Sequence, residues 1–293
     1  MTAAQLPTIP EPTPWDALLR LDGKCAVVTG GSRGLGEAIV HRLTQAGAAV
    51  VFTGRGAEAL QKLEDELTAG GATAAGVPAD VANLSDSQRV IDQAVQRFGR
   101  VDILVNNAAL YTPSLAMETS EELFDSIVGA DLKGAFFLAQ YAAKTMIDTG
   151  GGGRIINLLS TDAFKPMGPL AAYASAKAGL WAATQNLAKE LAPQQILVNA
   201  VTPGSTLTEE RLAAFRDGTF ASAQVPVGAT TTRQGLQAAL DAGTFAQMLT
   251  TMMPLARPGW PDEIAKAVLF LASDMGSYVS GANIFVDGAQ HLR

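Results

Sequence analysis

Apolar residues in this chain fall into short, β-branched runs, separated by longer stretches where they recur every three or four positions. The runs are CAVVTG (25–30), AAVVFTG (48–54), ATAAGVPAD (72–80), VDILVNN (101–107), RIINLLS (154–160), ILVNAV (196–201) and NIFVDG (283–288). Such runs predict parallel strands buried on both faces. The stretches near 35–46, 57–69, 84–98, 120–147, 171–192 and 261–273 predict helices. Alternation of this kind implies right-handed crossovers, and so a doubly wound α/β fold. A single Rossmann-type parallel sheet of about seven strands is expected, with helices on both faces.

Three segments depart from the rhythm. Pro7, Pro10, Pro12 and Pro14 make residues 1–20 an extended arm, which Trp15, Leu18 and Leu19 are expected to anchor to the domain formed by 21–293. TGGGGR (149–154) predicts a turn before the fifth strand. Residues 205–256 form a long connection where a short one would suffice, and loops of that size are usually functional or disordered. Within it, QGLQAAL and FAQMLTTMMPL have helical apolar spacing, and only Arg233 and Asp241 are charged between Gly218 and Ala256. A substrate cover is expected here, closing on a small and largely neutral molecule; an extension of the core or an oligomer contact is the alternative.

Composition narrows the function. Hydrophobic residues at 48% against 17% charged fit a well-buried sheet. A net charge of −7 disfavours nucleic acid or an anionic membrane as partner. No apolar run is long enough to cross a bilayer, and the N-terminus lacks the basic and apolar regions of a signal peptide. Cys25 is the single cysteine, read as a small core residue, and no Cys/His spacing suggests a metal site. With only His41 and His291, a Ser-His-Asp hydrolase has little to draw on. A cytoplasmic protein is expected.

The chemistry concentrates at the ends of the strands. After the first comes TGGSRGLG, with Gly30, Gly34 and Gly36 leading into a helix. Glycines there let a pyrophosphate approach the backbone at the positive helix N-terminus, and Ser32, Arg33 and Leu35 belong to the same loop. The second strand ends FTGR: Arg55 stands where an acid would bind a ribose 2′-hydroxyl. Arg33 and Arg55 together favour NADP(H) over NAD(H). Tyr173 and Lys177 in AAYASAKAGL lie four apart, on one helix face.

With these residues in view, the chain resembles the classical short-chain dehydrogenase/reductase family from about Leu21 to Gly288. The resemblance rests on TGGSRGLG, ADV with Asp80, NNAA at 106–109, Ser160, YASAK, and PGSTLT at 203–208, with Ser160 thirteen residues before Tyr173. It implies that Tyr173 is the general acid/base, that Lys177 holds the nicotinamide ribose, and that Ser160 holds the substrate oxygen. The hydride would leave the pro-S face of the nicotinamide. An ammonium beside the phenol should favour the phenolate, and moving its pKa from about 10 to about 7 corresponds to ~4 kcal/mol. By the same resemblance Asp80 and Val81 would contact the adenine, and Asn107 and Ala108 the adenosine ribose. Pro203, Gly204, Thr206 and Thr208 would surround the carboxamide, with Thr206 equally readable as a plain loop residue.

Two positions depart from the family pattern. Ala109 replaces a glycine, and Asp131 stands where asparagine usually backs a water-linked proton relay to the lysine. Asp131 is either a working carboxylate near Lys177 or an inert isostere.

The implied activity is a carbonyl/secondary-alcohol interconversion on a small molecule by a homo-oligomer, tetramer or dimer. Two other readings are a 3-oxoacyl-carrier-protein reductase and a non-catalytic NADP-binding regulator. GGGG (150–153) and APQQ (192–195) lack the basic residues that would dock an acidic carrier.

Overall fold

The computed structural model describes residues 11–150, 152–166, 168–216, 242–243 and 253–292. Seven strands form one sheet: β1 (Cys25–Val28), β2 (Ala49–Gly54), β3 (Ala74–Pro78), β4 (Ile103–Asn106), β5 (Gly153–Leu158), β6 (Ile196–Pro203) and β7 (Asn283–Val286). Their order is β3-β2-β1-β4-β5-β6-β7, and every pairing is parallel. The expected doubly wound α/β sheet is therefore present. Chain direction across the sheet reverses between β1 and β4, where the crossovers diverge and open a crevice beyond the strand ends.

The helices are α1 (Gly34–Gln45), α2 (Ala57–Ala69), α3 (Leu84–Phe98), α4 (Glu121–Val128), α5 (Ala135–Asp148), α6 (Ala171–Leu191), α7 (Glu209–Arg216) and α8 (Pro261–Ala272). Alternate strand residues feed two cores. Ala26, Val28, Val50, Phe52, Ile103 and Val105 pack with α1, α2 and α8. Val27, Val51, Leu104, Ile155 and Val198 pack with α3, α5 and α6 on the other face. Both faces are covered, which explains why the strands read as continuous apolar runs. Cys25 is buried as expected, and burial beside the Asp102 carboxylate pushes its thiol up to about 12.

Two expectations need correction. Trp15 is 85% exposed and Leu19 47%, so neither anchors the arm. Leu18 is half-buried, and Leu21, the first residue of the domain, is buried among α1 and β2 residues, its N–H donating to Ala46 O at 2.7 Å. The helix expected over 120–147 is broken by a π-helical turn, Gly129–Gly134, between α4 and α5. Gly134 explains part of this, because a Cβ there would lie 2.3 Å from Val81 O; the turn packs backbone to backbone on the loop after β3. Most of the cover expected over 205–256, including QGLQAAL and most of FAQMLTTMMPL, lies outside the described residues.

Candidate active site

The glycine loop is shaped by close packing. Gly30 and Gly34 take φ of +62° and +59°, a region open to glycine but costly for other residues. A Cβ on Gly36 would come within 2.0 Å of Gly30 O, so the first turn of α1 lies directly against the loop before it. The Thr29 hydroxyl accepts from the N–H groups of Asn107 (3.0 Å) and Ala108 (2.9 Å), and Asn107 Nδ2 donates to Thr29 O (2.8 Å) and Gly30 O (3.1 Å). Asn107 thus ties the loop after β4 to the loop after β1. Ala109, which replaces the glycine of the family pattern, is exposed.

On its other side the loop meets the end of β2. Gly31 N–H donates to Thr53 O at 2.7 Å, and a Cβ on Gly54 would lie 2.7 Å from Ser32 Oγ. Arg33 and Arg55 each follow one member of the Ser32/Gly54 contact, and both side chains are exposed. Among the described residues neither guanidinium has an ion-pair partner. A bare backbone at a helix N-terminus, flanked by two unpaired arginines, fits the phosphates of a dinucleotide. Asp80 is exposed at the end of the next strand, where its Oδ1 accepts from Ala82 N–H at 3.0 Å; Val81 is half-buried, and its carbonyl is the atom packed by Gly134.

Ser160, Tyr173 and Lys177 come together beyond β5. Ser160 caps a 3₁₀ turn (Thr161–Ala163): its hydroxyl accepts from Asp162 N–H at 3.2 Å and donates to Asp162 Oδ2 at 3.1 Å. Tyr173 and Lys177 are on one face of α6, with Lys177 Nζ 5.7 Å from the centre of the Tyr173 ring. Lys177 is 1% exposed, and its Nζ donates to Leu158 O at 3.0 Å. Asp131, held in the π turn, is fully buried: Oδ1 accepts from Leu110 N–H at 2.7 Å, and Oδ2 lies 3.7 Å from Lys177 Nζ. That is an ion-pair distance, too long for a hydrogen bond, and Oδ2 has no hydrogen-bond partner among the described residues.

Burial dominates the electrostatics. It pushes the Asp131 carboxyl up and the Lys177 ammonium down, while their mutual attraction opposes both shifts. The expected lowering of the Tyr173 pKa is not found. Burial raises it well above the usual phenol range, the Asp131 charge raises it further, and only the Ser160 hydroxyl works the other way. Lys177 Nζ is engaged by Leu158 O and faces Asp131, and it lies 5.7 Å from the centre of the phenol ring.

The loop after β6 closes the far wall. Gly204 is pressed against the C-terminal turn, where a Cβ would lie 2.6 Å from Asp287 Cβ. Gln290 is buried; its Oε1 accepts from Ser205 N–H at 2.8 Å and its Nε2 donates to Ser205 Oγ at 2.9 Å. Thr206 is buried and donates to Gly204 O at 3.0 Å, and the Thr208 methyl would lie 3.4 Å from a Cβ on Gly34. Pro203 ends β6, so PGSTLT bridges the sheet and the glycine loop. Sequence reasoning did not single out Thr29, Asp162 or Gln290, nor Tyr111, whose ring meets Tyr173 edge-on at 5.2 Å.

Comparison with known proteins agrees with this geometry. Residues 24–217 match the family model described as short chain dehydrogenase, and 224–291 match one described as enoyl-(acyl carrier protein) reductase. The chain is 35% identical to L-rhamnose 1-dehydrogenase (NAD(P)(+)) of Azotobacter vinelandii, over 90% of this chain and 95% of that one. The chain belongs to the short-chain dehydrogenase/reductase family. Another relative within it is 2-dehydro-3-deoxy-D-gluconate 5-dehydrogenase of Escherichia coli, 34% identical over 92% of this chain and 95% of that one. Among solved structures, a gluconate 5-dehydrogenase from Burkholderia cenocepacia, in complex with NADP and tartrate, superposes with a TM-score of 0.79. It is 29% identical, covering 94% of this chain and 98% of that one. Membership makes the protein an oxidoreductase of the carbinol/carbonyl type, in a family that binds NAD(P). Among the described residues no helix is long and apolar enough to cross a membrane.

Proposed function

We propose that the protein interconverts a ketone and a secondary alcohol on a small hydroxylated substrate, using NADP(H) in preference to NAD(H). The observation that carries this is the convergence of Ser160, Tyr173 and Lys177 beyond β5, across the crevice from a glycine loop flanked by Arg33 and Arg55. When bound, the nicotinamide supplies or accepts the hydride. Ser160 Oγ orients the substrate oxygen, and the Tyr173 hydroxyl gives it a proton in reduction or takes one in oxidation. Lys177 holds the nicotinamide ribose and steadies the phenol, with Asp131 positioning Lys177. Gly30, Ser32, Gly34, Leu35 and Gly36 hold the pyrophosphate; Asp80, Val81, Asn107 and Ala108 hold the adenosine; Pro203, Gly204, Thr206 and Thr208 hold the carboxamide.

Burial raises the Tyr173 pKa, so in the chain without nucleotide the phenol holds its proton more firmly than a free tyrosine would. Relatives named for L-rhamnose and for 2-dehydro-3-deoxy-D-gluconate support a polyhydroxylated substrate, free rather than carrier-bound. Residues 205–256 serve as its cover, over a largely neutral body. We further take the protein to be a cytoplasmic homo-oligomer.

The test is NADPH and NADH consumption against a panel of small carbonyls, with Tyr173→Phe as control. The variant is expected to bind NADPH as before while turnover falls by roughly 10²–10⁴, since only the proton donor is lost. Wild-type kcat in the variant would overturn the assignment.

A further inference from the structure

Arg211 has no part in the roles assigned above, yet it is joined to Tyr173 through a single intervening aromatic ring. It is the third residue of α7, whose start is fixed by Arg211 N–H donating to Thr208 Oγ1 at 3.4 Å. Its Nη1 donates to Thr206 O at 3.0 Å, which holds the head group back over the loop that follows β6. The guanidinium carbon lies 5.9 Å from the centre of the Tyr111 ring. Tyr111 in turn meets the Tyr173 ring edge-on at 5.2 Å. A cation is thus held by one carbonyl and lies near an aromatic ring that itself touches the ring of Tyr173.

Among the described residues no carboxylate pairs with this guanidinium. A guanidinium has five N–H donors in a planar fork, and the single bond to Thr206 leaves most of them for another acceptor. The Thr206 carbonyl and the nearby Tyr111 ring confine the exposed head group, so that a ligand carboxylate could be met by two parallel hydrogen bonds at a smaller ordering cost. In a chain of net charge −7, a cation with no ion-pair partner among the described residues, one aromatic ring removed from Tyr173, is a feature to be explained.

We infer that Arg211 binds a carboxylate of the substrate, making the substrate a hydroxy- or oxo-acid whose reacting carbon lies several bonds from its acid group. This rests on the oxidoreductase reading and refines it: the body of the substrate is neutral and hydroxylated, and one end is anionic. Arg211 then acts on specificity, and takes no part in proton transfer. The competing role for this cation is a contact with the phosphates of the nucleotide, since Thr208, at the start of the same helix, packs beside Gly34 of the glycine loop.

Calorimetric titration of the NADP⁺-saturated full chain separates these roles. The probes are matched pairs differing only in a carboxylate: glycerate and glycerol, threonate and threitol, gluconate and glucitol. In at least one pair the acid is expected to bind roughly tenfold or more tightly than the polyol, the range of a charged hydrogen bond. Arg211→Gln should abolish that advantage while leaving NADPH affinity and the thermal midpoint unchanged, and Arg211→Lys should keep part of it. The inference is overturned if no pair favours the acid, if the preference survives in Arg211→Gln, or if that variant loses NADPH affinity. Failure of the oxidoreductase reading would show separately, as a wild-type chain that neither binds NADPH nor oxidises it with any carbonyl.

Discussion

Tyr173 is governed by neighbours that pull in opposite senses, and Asp131 is the one that distinguishes this chain from its family pattern. Its carboxylate raises the phenol pKa on top of the effect of burial, so replacing it by the neutral amide removes a charge that holds the proton on. Asp131→Asn is therefore expected to let the phenol ionise at lower pH, moving the rising limb of kcat/KM for alcohol oxidation to lower pH. A second path runs the other way: Lys177 loses a partner at 3.7 Å and with it some of its hold on a proton. A limb displaced to higher pH would assign Asp131's main effect to Lys177, and an unmoved profile would make it the inert isostere. The trio Ser160, Tyr173 and Lys177 was legible in the sequence because one helix turn and one strand end bring it together. Gln290 was not, because its bonds to Ser205 join residues 85 apart, and no local pattern encodes that meeting. Nor could sequence reveal the phenol's raised pKa, which depends on what else is buried around it.

Among the elements, the strands were legible because burial on both faces leaves a nearly unbroken apolar signature. The π turn was not, since apolar spacing runs on through Ile127, Leu132, Ala135 and Leu138 as in a continuous helix; Gly129 and Gly134 were its only marks. That turn holds Asp131 against Lys177, in keeping with the tendency of π-helical turns to occur at functional sites. The glycine loop offers the clearest test at this scale. In Gly36→Ala the new methyl would face Gly30 O at 2.0 Å and Asn107 Nδ2 at 2.6 Å. The first of these is backbone, so the loop itself must move. Stability to urea is expected to fall by about 1–3 kcal/mol, the usual cost of overpacking. NADPH titration of the same variant should show weakened binding, because the displaced loop is the one that meets the pyrophosphate. A variant with unchanged NADPH affinity would show that the loop's shape is not what the nucleotide reads.

Over the whole molecule, the sheet order places the proposed nucleotide site astride the reversal between β1 and β4. One half of the sheet, β3-β2-β1, contributes Gly30–Gly36, Arg55 and Asp80; the other contributes Asn107, Ser160 and the loop from Pro203 to Thr208. A ligand spanning both halves binds only the folded chain, so its affinity should appear directly as thermal stability. NADPH at a hundredfold excess over its Kd is worth about 2.7 kcal/mol, which for a chain of this length raises Tm by about 4 °C. The 2′-phosphate role of Arg55 can be read from the same measurement. Removing its charged hydrogen bond in Arg55→Ala should cost about 1.5–3 kcal/mol of NADPH affinity. At the same NADPH concentration the rise in Tm should then shrink to about 2 °C or less. The shift produced by NADH, which has no 2′-phosphate, should be the same in the variant and the wild type. Equal losses with both nucleotides would instead give Arg55 a part in holding the common portion of the dinucleotide, and the preference for NADP(H) would have to come from elsewhere in the site.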